Sequence, residues 1–243
     1  MWQNVKPMIV NHLTRSELIK CVKEDYIAIL TLGSCEQHGP HLPMGTDILL
    51  AEYLANEITK KTKAVIFPSI NYGYSWVWKD FQCGTVTLSQ DEFKNHVFEV
   101  VESIAKMGFK TILLVNGHDS NKQTIKYVLR DLSERYESRI LNIFYPKLTK
   151  IYGKYMESKT WSEGMFHADE FETSLMLALN ENYVHMDLAV EDYPERPKLY
   201  GYDHSTLSNL SSSGVFGDPT KASKLKGEKM MSEFVSNIIE LLI

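Results

Sequence analysis

Between Gly33 and Asp47 the chain reads Gly-Ser-Cys-Glu-Gln-His-Gly-Pro-His-Leu-Pro-Met-Gly-Thr-Asp, a dense run of groups able to bind a metal or move a proton. Glu36 and His38 are two residues apart, so in extended chain both side chains point to one side. A carboxylate beside an imidazole is half of a zinc- or manganese-type site. Gly39, Pro40, Pro43 and Gly45 bend the backbone, which can return Asp47 toward that pair. The competing reading is a polar loop in which the acid and the histidine merely pair with each other.

Two further segments offer partners. Asn116-Gly-His-Asp-Ser-Asn121 directly follows an apolar run, so His118 can face whatever the first loop holds. A lone loop histidine is more often structural, but this one sits at a second strand end. Phe166-His-Ala-Asp-Glu-Phe-Glu-Thr173 is the third segment. If a helix starts there, His167 and Glu170 share a face, while Glu172 points away from both. Asp169 and Glu170 in a first turn would equally suit the helix dipole with no metal at all. His41 and Asp119 are candidates to orient the ligand histidines.

These loops need a scaffold. Tyr26–Leu32, Ala64–Phe67, Thr111–Val115 and Ile140–Phe144 are short apolar runs of the kind that form strands buried on both faces. Between and after them, helical spacing appears over 47–60, 89–108, 121–133, 168–179 and 221–242, with Ser89 and Glu92 at capping-box spacing. Alternation of this kind predicts an α/β fold: a three-layer α/β/α arrangement around a mostly parallel sheet. No linker or internal repeat divides the chain, so residues 1–243 are expected to form one domain. In such a fold a ligand sits beyond the carboxyl ends of the strands, where 33–47 and 116–121 both emerge.

Composition narrows the function classes. With 44% hydrophobic and 23% charged residues and a net charge of −5, the chain is ordinary globular protein without a cationic footprint. Nucleic-acid and anionic-membrane binding are therefore not expected. The three cysteines, Cys21, Cys35 and Cys83, are too few for a secreted disulfide framework. The N-terminal Met-Trp-Gln-Asn-Val-Lys-Pro lacks a basic segment followed by an apolar run. A cytoplasmic protein is the expectation.

Taken together, Glu-Gln-His-Gly-Pro-His-Leu-Pro-Met-Gly-Thr-Asp, the Asn-Gly-His after a strand, and His-Ala-x-Glu-x-Glu-Thr-Ser resemble the creatininase (creatinine amidohydrolase) family, in the expected order from about Tyr26 to Leu179. The resemblance implies two divalent metal ions, zinc or manganese and occasionally iron. Glu36, His38, Asp47 and His118 match metal ligands, with Asp47 bridging, and His167 matches a histidine near the reacting amide. Two departures stand out. Creatininase itself carries a metal-binding glutamate where this chain has Ser120, and Glu170 is the expected replacement. Many relatives also carry Glu-His followed by Phe-Pro-Gly-Thr, where this chain reads Trp78-Lys-Asp-Phe-Gln-Cys-Gly-Thr85.

The function so implied is hydrolysis of an amide, in all expectation cyclic, on a small nitrogenous molecule. Water activated by the metals attacks, and His167 and Glu170 are the candidate catalytic residues. Creatinine itself is put in doubt by the two departures. Alternatives within the family are deformylation of a pyrimidine nucleotide intermediate and hydrolysis of a cyclic, inosose-type ketone. An alternative outside it is a metal-binding protein without catalysis, in which Ser120 marks a lost site. The resemblance also implies a homo-oligomer, a hexamer, and a small-molecule substrate as the principal partner. The aromatic stretch Tyr72–Trp78 could wall a pocket, and Trp161 could sit on a lid.

Overall fold

Apolar runs flanked by polar chain become the strands of one sheet. The computed structural model describes residues 7–81, 83–162, 164 and 166–242; the first six residues and Gln82 of the Trp78–Thr85 stretch lie outside them. In chain order the elements are β1 (Met8–Ile9), α1 (Arg15–Lys23), β2 (Ile27–Leu32), β3 (Cys35–Glu36), α2 (Thr46–Thr59), β4 (Ala64–Ile70) and β5 (Thr85–Val86). Then follow α3 (Gln90–Lys106), β6 (Thr111–Asn116), α4 (Asn121–Ser133), β7 (Arg139–Ile143), α5 (Leu148–Tyr155), α6 (Glu170–Leu179) and α7 (Lys224–Leu242). The main sheet has the order β1-β4-β2-β6-β7, and each pairing in it is parallel. β3 and β5 form a separate antiparallel ribbon.

Side-chain alternation splits the core in two. Ile29, Ile66, Leu113 and Val115 face α2, α5, α6 and α7. Ala28, Leu30, Val65, Phe67, Ile112 and Leu114 face the other way, onto Cys21 of α1 and the apolar stripes of α3 and α4. The result is the α/β fold with helices on both faces of a parallel sheet that the strand–helix alternation predicts.

The strand order also locates a crevice. From central β2 the chain passes through α2 to β4 on one side, and from β6 through α4 to β7 on the other. The two connections cover opposite faces, so a cleft opens between the carboxyl ends of β2 and β6. The two motif loops leave the sheet at that point.

Several local differences from the sequence reading have physical causes. The complete capping box is at Thr14 and Glu17, opening α1, which the periodicity did not bring out. Ser89 supplies its half of the box, accepting from the Glu92 N–H at 3.3 Å. α5 and the β3–β5 ribbon are too short to carry a pattern. α6 begins at Glu170 rather than at 168. Asp169 caps it, accepting from the N–H groups of Phe171 and Glu172 at 2.9 and 3.3 Å, and Ala168 takes a left-handed φ of 51°. His167 thus lies before the helix, bridged to Phe216.

Candidate metal centre

Two close backbone approaches set the site. A Cβ on Gly33 would lie 2.5 Å from the Ile48 nitrogen, and one on Gly117 would lie 2.1 Å from the Asp47 carbonyl oxygen. Only glycine lets both strand exits lie against the first turn of α2, and this places Asp47 between the two loops. Asn121, at the start of α4, ties them together. Its Nδ2 donates to the Gly33 carbonyl at 3.0 Å and its Oδ1 accepts from the Tyr74 N–H at 3.0 Å. Within the second loop the Asn116 side chain donates to the His118 carbonyl at 2.8 Å and accepts from its N–H at 3.2 Å.

Asp47 is the centre of what results. Its Oδ2 lies 2.8 Å from His118 Nδ1, and its Oδ1 lies 3.2 Å from His38 Nε2. Ser34 Oγ donates to Oδ2 at 2.7 Å. Glu36 Oε1 lies 3.4 Å from His118 Nδ1 and 3.9 Å from His167 Nδ1. Glu172 Oε2 lies 4.0 Å from His38 Nε2 and accepts from the Ala168 N–H at 2.6 Å. The side chains fall into overlapping ligand-like groups: Glu36, Asp47 and His118; His38, Asp47 and Glu172; and Glu36, His38 and His167.

The histidines share one device. His38 Nδ1 donates to the Glu36 carbonyl at 3.1 Å, His118 Nε2 to that of Tyr74 at 3.1 Å, and His167 Nε2 to that of Gln37 at 2.7 Å. Each main-chain acceptor holds the proton on one ring nitrogen and leaves the other facing the carboxylates, the arrangement that suits imidazole to a metal.

The electrostatics fit cations. Burial opposes charge on His38, yet Asp47, Glu172 and Glu36 outweigh it and lift its pKa to about 10. His118 is lifted in the same way to about 9, with Glu36 and Asp47 overcoming its burial. Burial pushes Glu36 up and pushes Glu172 up to about 8. Asp47 is held low despite its burial, because His38 and His118 flank it. Glu36 Oε2 is buried without a hydrogen-bond partner among the described residues. Carboxylates this deeply buried need compensating positive charge, and the unpartnered oxygen is the open coordination a metal would fill.

Of the residues singled out in the sequence, Glu36, His38, Asp47, His118 and His167 converge here. Glu170 does not. Its carboxylate is fully buried elsewhere, accepting from the N–H groups of Glu157 and Ser158 at 2.9 and 2.7 Å and pairing with Lys226. The three-residue spacing would bring Glu170 beside His167 only in a helix that runs through His167. With Asp169 as the cap and Ala168 left-handed, the chain turns before the helix begins, and Glu172 takes the place expected of Glu170. The Asp-x-x-Glu spacing of an N-cap was the signal that could have found it. His41 donates to or accepts from Thr173 Oγ1 at 2.9 Å and orients no member of the cluster. Asp119 is exposed and pairs with Lys122.

Above the cluster lies a cavity of about 350 Å³. Its floor is Glu36, Asp47, His118, His167 and Glu172, and its apolar walls include Trp78, Phe144, Phe166, Tyr200 and Leu207. Trp78 stacks on the His167 ring with centroids 4.2 Å apart. The aromatic stretch therefore does contribute a pocket wall. Trp161 packs edge-on against Tyr200, behind that wall.

Comparison with known proteins agrees with this arrangement. The creatininase family profile, described as creatinine amidohydrolase, matches residues 11–242. The chain is 26% identical to the creatinine amidohydrolase of Pseudomonas putida, over 98% of this chain and 96% of that one. It is 27% identical to the 3-dehydro-scyllo-inosose hydrolase of Thermotoga maritima, over 75% of this chain and 60% of that one. A mutant creatininase of zinc–zinc type superposes with a TM-score of 0.85 at 26% identity, covering 98% of each chain. With its profile, its fold and its buried donor set all in agreement, the chain belongs to the creatininase family of hydrolases.

Proposed function

We propose that this chain is an amidohydrolase that holds two divalent ions, zinc or manganese, and opens an amide C–N bond of a small cyclic molecule. The observation that carries the proposal is the position of Asp47. Its two carboxylate oxygens each face a different histidine, and each side is completed by a different glutamate, Glu36 or Glu172. That is a bridging carboxylate between two ligand sets. Glu172 supplies the carboxylate that Ser120 lacks, so the missing loop glutamate does not cost the chain its second ion.

Divalent ions bound here would polarise an amide carbonyl and bring the pKa of water toward neutrality. The chain's own residues do the rest. Glu36, His38, His118 and Glu172 fix the ions about Asp47. Ser34 and the main-chain carbonyls of Glu36 and Tyr74 keep the ligand side chains from rotating. His167 keeps its proton on Nε2 against Gln37. Nδ1 is left to accept a proton as water attacks and to pass it to the departing nitrogen, which needs protonation to leave. Burial holds the His167 pKa well below its ordinary value, and the Gln37 carbonyl keeps the ring's one proton on Nε2. Trp78 holds the ring in plane.

Elemental analysis of protein purified without added metal or chelator tests the proposal, together with turnover of creatinine and other cyclic amides after zinc or manganese is restored. Two ions per chain falling to about one in Glu172→Gln, with ring opening in the wild type, supports it. One ion in both proteins and no turnover would instead indicate a metal-binding protein without catalysis.

A further inference from the structure

The cavity floor is crowded with carboxylates and histidines, yet one wall carries the opposite charge. Among the described residues that line the cavity, Lys122 is the only lysine or arginine. It sits in the first turn of α4, and its ammonium lies 4.5 Å from the Phe144 ring centroid, which keeps the chain extended along the cavity wall. Its charge partner is Asp119, whose side chain is 70% exposed and which lies three residues before it. A pair this exposed is weak and is readily exchanged for a better acceptor. The N-cap residue of α4, Ser120, makes no side-chain cap hydrogen bond, and the first turn holds no acidic residue. Positive potential from that helix end therefore adds to that of Lys122 on the same wall.

We infer that Lys122 is a specificity-determining residue that receives a carboxylate on the substrate, Asp119 being the internal partner it exchanges. The inference rests on the amidohydrolase reading and names its substrate class: a small cyclic amide bearing one carboxylate on the side away from the metal centre. A monoanion fits better than a phosphate dianion. Lys122 is a single cation, and Asp119 beside it on the cavity lining repels further negative charge. The apolar lining of Trp78, Phe166 and Leu207 suits the flat ring.

The test compares hydantoin-5-acetic acid with its carboxamide, two cyclic amides of the same shape that differ in charge. Dissociation constants are measured by ligand-observed NMR on zinc-loaded wild type, Lys122→Gln and Asp119→Asn, with zinc content determined for each. The wild type is expected to favour the carboxylate about tenfold, as one charge-assisted hydrogen bond would give. Lys122→Gln removes that preference, and Asp119→Asn raises it two- to fivefold, or roughly what an exposed pair is worth. A merely structural pair would not give shifts of opposite sign in the two variants. A carboxylate preference that survives in Lys122→Gln means the metal ions hold the acid, and overturns the inference. So does the absence of any preference in the wild type. Failure of the amidohydrolase reading shows separately, as absence of zinc or of ring opening in the wild type, because the binding comparison requires no turnover.

Discussion

At the scale of single residues, two glutamates two positions apart have opposite fates. Glu172 faces His38 across 4.0 Å, whereas Glu170 is locked to Lys226 and to two main-chain N–H groups. Glu172→Gln should lower metal content by about one ion and cut turnover at least about a hundredfold, the scale on which ligand support matters. Glu170→Gln should leave metal content unchanged but lower stability by about 1–3 kcal/mol, the cost of weakening buried charge-assisted hydrogen bonds. Elemental analysis and denaturant melts on both variants decide the assignment. Metal loss in Glu170→Gln alone would instead make Glu170 the metal ligand. His167 calls for a different readout. Its replacement by Asn should reduce kcat about 10²–10⁴-fold, as for removal of a group that transfers protons, with both ions retained. Loss of an ion would instead make His167 a ligand, the role allowed by its grouping with Glu36 and His38.

At the scale of elements, the site depends on how closely two strand exits approach α2. Gly117→Ala places a methyl 2.1 Å from the Asp47 carbonyl oxygen, a backbone atom that cannot rotate away. The helix start must move, and overpacking of this kind costs about 1–3 kcal/mol. Since Asp47 rides on that turn, Gly117→Ala should lose metal affinity as well as stability. Zinc titration against a chromophoric chelator checks this, and unchanged affinity would mean that α2 gives way without moving Asp47. The same scale explains what could be read from the chain beforehand. β2, β6 and the apolar stripes of α2, α3 and α4 are legible because burial on both sheet faces leaves unbroken apolar runs and helical periodicity. Glu36, His38, Asp47 and His118 are legible because their loops follow such runs. Glu170 does not join the cluster because a left-handed Ala168 and the Asp169 cap leave His167 outside the helix, so helical spacing counted from His167 does not tell which glutamate faces it. β3, β5 and α5 were hidden because they are too short for any period to show.

At the scale of the whole molecule, the buried cluster ties stability to metal and pH together. Metal that binds only the folded chain at about a thousand times its Kd stabilises it by about 4 kcal/mol, or roughly 10 °C in Tm for a chain of this size. Without metal, protons must take the place of the ions. The folded-state values of His38 and His118, about 10 and about 9, lie above the ordinary 6.5. Their contribution is therefore complete below about 6.5 and is lost as pH rises through 9 and 10. Glu172, raised from 4.5 to about 8, acts in the same direction at lower pH: the folded chain prefers its neutral form, and that preference is lost between those values. Asp47 is shifted the opposite way, but its effect falls below pH 4 and outside this window. Chelated protein should therefore lose Tm steadily from pH 6 to 8.5. Metal-loaded protein should stay nearly flat, because the ions displace those protons and bind more tightly as fewer remain to be displaced. The gap between the two melting curves should thus widen with pH, and calorimetry across that range measures it directly. A gap that stays constant would mean that the metal-free cluster does not hold its charge balance with protons. A gap that narrows would remove the case for metal and proton competing at His38, His118 and Glu172.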